Sequence, residues 1–114
     1  VRLPGFSKGD IVGHQGREYF VRGMSKGVMH GIDIRSGEER ALSVKDPDNF
    51  TLSLPKGGVL EAQVLSESER EIQVLDPETR GQVDLTKPQG FRRKGEHVRL
   101  AKTKLGTFAL SDSW

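Results

Sequence analysis

Glu71-Ile-Gln-Val-Leu-Asp-Pro-Glu-Thr-Arg-Gly-Gln-Val-Asp-Leu85 contains two alternating runs joined by a single Asp-Pro step. Successive side chains of a strand point to opposite faces, so Ile72 and Val74 share one face, Leu75 ends the run, and Val83 and Leu85 resume the spacing. Pro77 presets the φ required at the first central position of a tight turn, and the stretch reads as a β-hairpin.

The residues on either side follow the same style. Upstream, Lys8-Gly-Asp-Ile-Val12 opens a strand behind an apolar lead-in, Val1 to Ser7, and Gly13 to Gly16 turn the chain into Glu18-Tyr-Phe-Val-Arg22. Gly23 to Gly27 turn it again, with Lys26 at the tip. In the next run Val28, His30, Ile32 and Ile34 alternate with Met29, Gly31 and Asp33, which assigns the first four to one face. Arg35-Ser-Gly-Glu38 is a compact turn in which Gly37 is free to take positive φ. Strands are expected over Glu39 to Val44 and near Phe50 to Leu54, with a short helical turn or loop over Lys45 to Asn49.

This order over about 50 residues is that of an SH3-like barrel. Leu54-Pro-Lys-Gly-Gly58 reads as a linker, and five further strands are expected near Val59 to Leu65, Glu71 to Leu75, Gln82 to Leu85, His97 to Lys102 and Thr107 to Leu110. The fold class expected is therefore all-β, with an SH3-like barrel over residues 1–55 and an OB-like or SH3-like barrel over residues 56–114. No motif aligns between the two halves.

Composition agrees with thin cores assembled from short strands: of 114 residues, 33% are hydrophobic and 30% charged. Without cysteine there is neither a disulfide framework nor a thiolate metal site, which fits a cytoplasmic protein. No apolar run approaches the roughly 20 residues that span a bilayer, so no membrane partner is expected. Val1 in place of an initiator Met implies a piece of a longer polypeptide.

Charge is uneven. The net charge is +2, yet Lys87, Arg92, Arg93, Lys94, Arg99, Lys102 and Lys104 face only Glu96 between positions 87 and 104, giving that segment +6 and the remainder −4. Clustered cations displace counterions from phosphates, so the segment is a candidate polyanion contact; a solvated, charge-protected strand edge is the alternative. Phe91, beside Arg92-Arg-Lys94, is either a stacking ring next to a phosphate clamp or a plug under the barrel. The nucleic-acid-binding residues expected are Lys87, Phe91, Arg92, Arg93, Lys94, Arg99, Lys102 and Lys104.

Catalytic machinery is not visible. His14, in a turn, and His30 and His97, in strands, lie at wide spacing and outside any metal-binding motif. No serine sits in a nucleophile elbow, and no glycine-rich loop leads into a helix. The carboxylate pairs Asp46 with Asp48 and Asp76 with Glu78 flank prolines, where they ordinarily cap backbone amides. No enzyme activity, metal, cofactor or small-molecule substrate is expected.

Glu71-Ile-Gln-Val-Leu-Asp-Pro-Glu-Thr79, Val83-Asp-Leu-Thr-Lys-Pro-Gln-Gly-Phe91 and Gly95-Glu-His-Val-Arg-Leu100 resemble archaeal members of the large-ribosomal-subunit export adaptor family, also called the nonsense-mediated decay protein three family. The resemblance is strongest over residues 56–110. It implies SH3-like and OB-like barrels downstream of a zinc-binding N-terminal region whose cysteines are absent here. It further implies contact with rRNA or ribosomal protein of the large subunit during ribosome biogenesis. The modified lysine of the translation factor which that family mimics does not carry over to Lys26, because Met24-Ser-Lys-Gly-Val28 does not reproduce its loop. The expected function is thus a non-catalytic, ribosome-associated RNA-binding module; the alternative is a peptide-binding module that uses an SH3-like groove.

Overall fold

The computed structural model describes residues 6–114, so the first five positions of the apolar lead-in lie outside it. The chain divides into two compact units between Gly58 and Val59. In the first, β1 (Ile11–His14), β2 (Arg17–Ser25), β3 (Val28–Asp33), β4 (Glu39–Ser43) and β5 (Thr51–Leu54) form an antiparallel sheet of order β4-β3-β2-β1-β5. In the second, β6 (Leu60–Glu67), β7 (Glu71–Leu75), β8 (Gln82–Thr86), β9 (His97–Thr103) and β10 (Gly106–Leu110) form a sheet of order β10-β9-β6-β7-β8. The edge strands β8 and β10 approach each other, curling the second sheet into a nearly closed barrel. The order is that of a five-stranded Greek-key, OB-like barrel. Helical structure among the described residues is confined to the single 3-10 turns Pro47–Asn49 and Lys56–Gly58. The architecture is all-β: two five-stranded antiparallel sheets in succession along the chain, the second nearly closed into a barrel.

Val12, Tyr19, Val21, Met29, Val44 and Phe50 make the core of the first unit, with Phe6 and Leu42 packed on it. The alternation expected for β3 holds, and of its two faces the one bearing Met29 and Gly31 meets this core, while Val28 and His30 on the other stay half-buried. The cause is a bulge in β2. Val21 pairs with Gly31 but Gly23 pairs with His30, and the extra residue, Arg22, brings Tyr19 and Val21 onto the face of Gly31 and Met29. A Cβ at Gly31 would stand 3.1 Å from the Tyr19 Cβ and 3.2 Å from the Met29 Cε, so the missing side chain is what lets those two pack closely. Ile11, Phe20 and Ile32, in register on the opposite face, are buried as well, and alternation alone cannot say which face of a doubly covered strand meets the core.

In the second unit Ala62, Ile72, Val74, Leu85, Val98, Leu100 and Ala109 form the core, flanked by Leu60, Val64, Val83 and Phe91. Each of the larger aliphatic side chains contributes about 1.5 to 3 kcal/mol by leaving water.

The connection after Leu75 is wider than a two-residue Asp-Pro turn. Asp76 is buried; its Oδ1 accepts the amides of Glu78 (2.8 Å) and Thr79 (3.4 Å), its own amide donates to the Gly81 carbonyl (2.9 Å), and its carbonyl accepts the Arg80 amide (2.8 Å). The Thr79 Oγ1 accepts the Gly81 amide (3.2 Å), and Arg80 takes φ 61°. The β3–β4 loop repeats the scheme. Asp33 Oδ1 accepts Arg35 N (2.9 Å) and Ser36 N (3.4 Å), Asp33 N donates to Glu38 O (2.9 Å), and Gly37 N donates to Asp33 O (2.7 Å). Ser36 Oγ accepts Glu38 N (3.2 Å), and Gly37 takes φ 82°. A motif invisible as sequence is therefore shared between the two units.

Candidate nucleic-acid interface

Between β8 and β9, residues 87–96 form a loop without regular structure, fastened to its neighbours at both ends. At its start the Lys87 amide donates to the Arg70 carbonyl (2.8 Å) in the β6–β7 turn, and Phe91 N donates to Pro88 O (3.1 Å). The loop then runs alongside the residues that follow β10. Asp112 N donates to Arg92 O (2.8 Å), Arg92 N donates to Ser111 Oγ (2.9 Å), and Lys94 N donates to Asp112 Oδ2 (2.8 Å). Ser111, wholly buried, is the hub of this seam.

Ion pairs sort the cations of the segment into two classes. Lys87 Nζ lies 2.9 Å from Glu67, whose other oxygen accepts Arg93 Nε; the Arg93 guanidinium also donates to the Gly95 carbonyl. The hydrogen bond from Lys87, and then that from Arg93, hold the Glu67 carboxyl below its ordinary pKa. Lys102 Nζ sits 2.7 Å from Asp76 and 2.6 Å from Glu78. The Lys102 hydrogen bond and the Glu78 amide lower the Asp76 pKa, while Asp76 and then Glu78 raise that of Lys102. Arg99 meets Asp112 at 3.4 Å and donates to the Ser111 carbonyl at 2.7 Å.

Lys87, Arg93, Lys102 and Arg99 are thus engaged within the barrel. Set against Glu96 and the four partner carboxylates Glu67, Asp76, Glu78 and Asp112, the seven cations leave +2. Phe91 is half-buried and packs on the core. Arg92, Lys94 and Lys104 are exposed and make no ion pair among the described residues. Arg92 and Lys94 share the loop, whereas Lys104 lies in the β9–β10 turn at the far end of β9. The structure therefore brings two of the expected contacts together and separates the third.

Arg70, exposed in the β6–β7 turn that holds Lys87, is a cation the sequence segment did not include; it joins the group only through the fold. The histidines remain apart. His14 ends β1 rather than lying in a turn, His30 is half-buried in β3, and His97 opens β9 with its ring 4.0 Å from Glu61, both exposed. Among the described residues no group of His, Asp and Glu has a metal-holding arrangement. No helix among them is long and apolar enough to cross a membrane.

No protein-family model matches the chain, and no curated protein matches it. Among solved structures it is similar to eukaryotic translation initiation factor 5A from Methanococcus jannaschii, at 18% identity and a TM-score of 0.55, over 97% of this chain and 91% of that one. It is also similar to a translation initiation factor eIF-5a family protein from Naegleria fowleri, at 15% identity and a TM-score of 0.48, over 97% and 94% of the two chains. The likeness to the first establishes a shared fold. It also corrects the resemblance to the export adaptor family, since that neighbour belongs to a different family. The reason is physical: the Asp-Pro hairpin that carried the resemblance is a local hydrogen-bonding scheme, and this same chain builds it a second time at residues 33–38.

Proposed function

We propose that this chain is a non-catalytic, ribosome-associated module that grips rRNA phosphates of the large subunit with the 87–96 loop. The observation that carries the reading is the pair Arg92 and Lys94: two exposed cations without ion partners among the described residues, on a loop whose backbone is held by Ser111 and Asp112. A fixed backbone lowers the entropy lost when the two side chains meet a polyanion. The neighbouring Lys87 and Arg93, both paired with the one carboxylate of Glu67, act as struts that shape the loop. The fold shared with a translation initiation factor supports a translation-linked setting.

Co-sedimentation with purified large ribosomal subunits across a salt series tests this. The double variant Arg92→Glu/Lys94→Glu is expected to weaken association, and to flatten its salt dependence by about 0.9 in log–log slope for each duplex phosphate no longer engaged. Sedimentation that is insensitive to both salt and the double variant would remove the proposal.

A further inference from the structure

OB-like barrels commonly take single-stranded nucleic acid on the outward face of their second and third strands, where aromatic rings stack on bases and cations follow the backbone. Here those strands are β7 and β8. Ile72, Val74 and Leu85 point into the core, so the outward face is Glu71, Gln73 and Leu75 opposite Thr86, Asp84 and Gln82. That face holds two carboxylates, no cation and no ring. A phosphate chain laid across it would meet Glu71 and Asp84 and be repelled.

Rings are withheld elsewhere too. Among the described residues no Phe, Tyr or Trp is exposed: Tyr19, Phe20 and Phe50 are buried, and Phe6, Phe91, Phe108 and Trp114 are half-buried. The exposed ring of His97 stands beside Glu61. At the end of the barrel where Arg70, Arg92 and Lys94 lie exposed, the ring next to those cations in the loop, Phe91, is half-buried and packed on the core.

Resting on the phosphate-binding reading above, we infer that the ligand of this site is double-helical RNA, held by its backbone at the 87–96 loop, and that the usual single-strand face of the barrel is closed to nucleic acid. A duplex keeps its bases stacked internally, so it asks for no protein rings, and its phosphates and 2′-hydroxyls are presented on the outside of an A-form helix. Unpaired bases, left without a partner surface, would lose the stacking that makes single-strand binding favourable.

Fluorescence anisotropy of the whole protein with a blunt RNA duplex and with each of its separated strands, over a salt series, decides between them. The duplex is expected to bind about tenfold or more tightly than either strand, since each unstacked base forfeits its ring contact. In Arg92→Glu/Lys94→Glu the duplex salt slope should fall by about 1.8, two phosphates at about 0.9 each. Equal or tighter binding of the single strands overturns the inference while leaving the ribosomal reading intact if subunits still co-sediment. Binding of neither RNA, with subunit sedimentation preserved, overturns it as well and moves the contact to ribosomal protein. Loss of all three associations removes both proposals.

Discussion

The two Asp-headed loops, residues 33–38 in the first unit and 76–81 in the second, use the same hydrogen-bond skeleton with different residues at nearly every position. Asp, a hydroxyl residue three places on, and one residue at positive φ are enough to build it. The first loop gives the positive-φ position to Gly37; the second gives it to Arg80, which bears the cost of a left-handed conformation. Their cationic partners differ as well. Asp33 pairs with Arg17 of β2, which is neighbour to β3, whereas Asp76 pairs with Lys102 of β9, which is separated from β7 by β6. One geometry therefore closes a local hairpin in both units, and in the second its Asp also ties non-adjacent strands.

Substitutions can break this equivalence or sharpen it. The largest effect is expected from Asp33→Ala, which leaves the amides of Arg35 and Ser36 without their acceptor and strips Arg17 of its partner, at a cost of about 2 kcal/mol in urea unfolding. A loss below a few tenths of a kcal/mol would mean that the turn holds without its Asp, and would end the claim that this skeleton is what the two loops share. The positive-φ position should respond with opposite signs in the two loops. Gly37→Ala is expected to cost about 1 to 2 kcal/mol, and Arg80→Gly to stabilise by about 0.5 kcal/mol once the greater freedom of glycine in the unfolded chain is subtracted. Two changes of the same sign would show that the backbones are not equivalent.

The smallest readout is the pH dependence of the second loop. Asp76 titrates lower in the folded protein, chiefly through Lys102, so its contribution is fully present above the ordinary Asp value of about 4 and is lost as pH falls through the depressed folded value. Because Lys102 and Glu78 are partly or largely exposed, solvent screens the pair and the effect is modest. Urea midpoints measured from neutral pH down to strong acid should fall less steeply below about pH 4 in Asp76→Asn than in the parent chain. Parallel profiles would show that the Lys102 contact does not carry this dependence.

Strand positions were legible because a half-buried strand writes itself as alternation: Glu71 to Leu75 is found at the bounds read from sequence and most other runs shift by a residue or two, but β1 starts three residues after Lys8 and β2 runs three residues past Arg22, through Gly23 to Ser25 that had read as a turn. The face of β3 was not legible, because the bulge at Arg22 is a matter of pairing rather than composition. The loop recurrence was hidden by chemistry that accepts Ser36 or Thr79, and Gly37 or Arg80, for the same purpose. At the candidate site, the sequence showed where cations concentrate but not which of them are already spoken for. Glu67 and Glu78 neutralise Arg93 and Lys102 across spans of 26 and 24 residues, and nothing local announces such a pairing. Arg92 and Lys94 stand out only once those partners are in place.

His14 offers a spectroscopic consequence. Its Nδ1 lies 3.0 Å from the Asn49 carbonyl, an oxygen that only accepts, so the neutral ring must carry its proton on Nδ1 and leave Nε2 as a lone pair. The ring also lies parallel to Phe50, with centroids 4.3 Å apart, inside the shielding cone of the phenyl group. The imidazole nitrogens and carbon-bound protons should therefore resonate away from those of His30 and His97. That gives the first unit a built-in nuclear magnetic resonance reporter, whose carbon-bound ring protons are readable without labels or added probes as denaturant, temperature or ligand is varied.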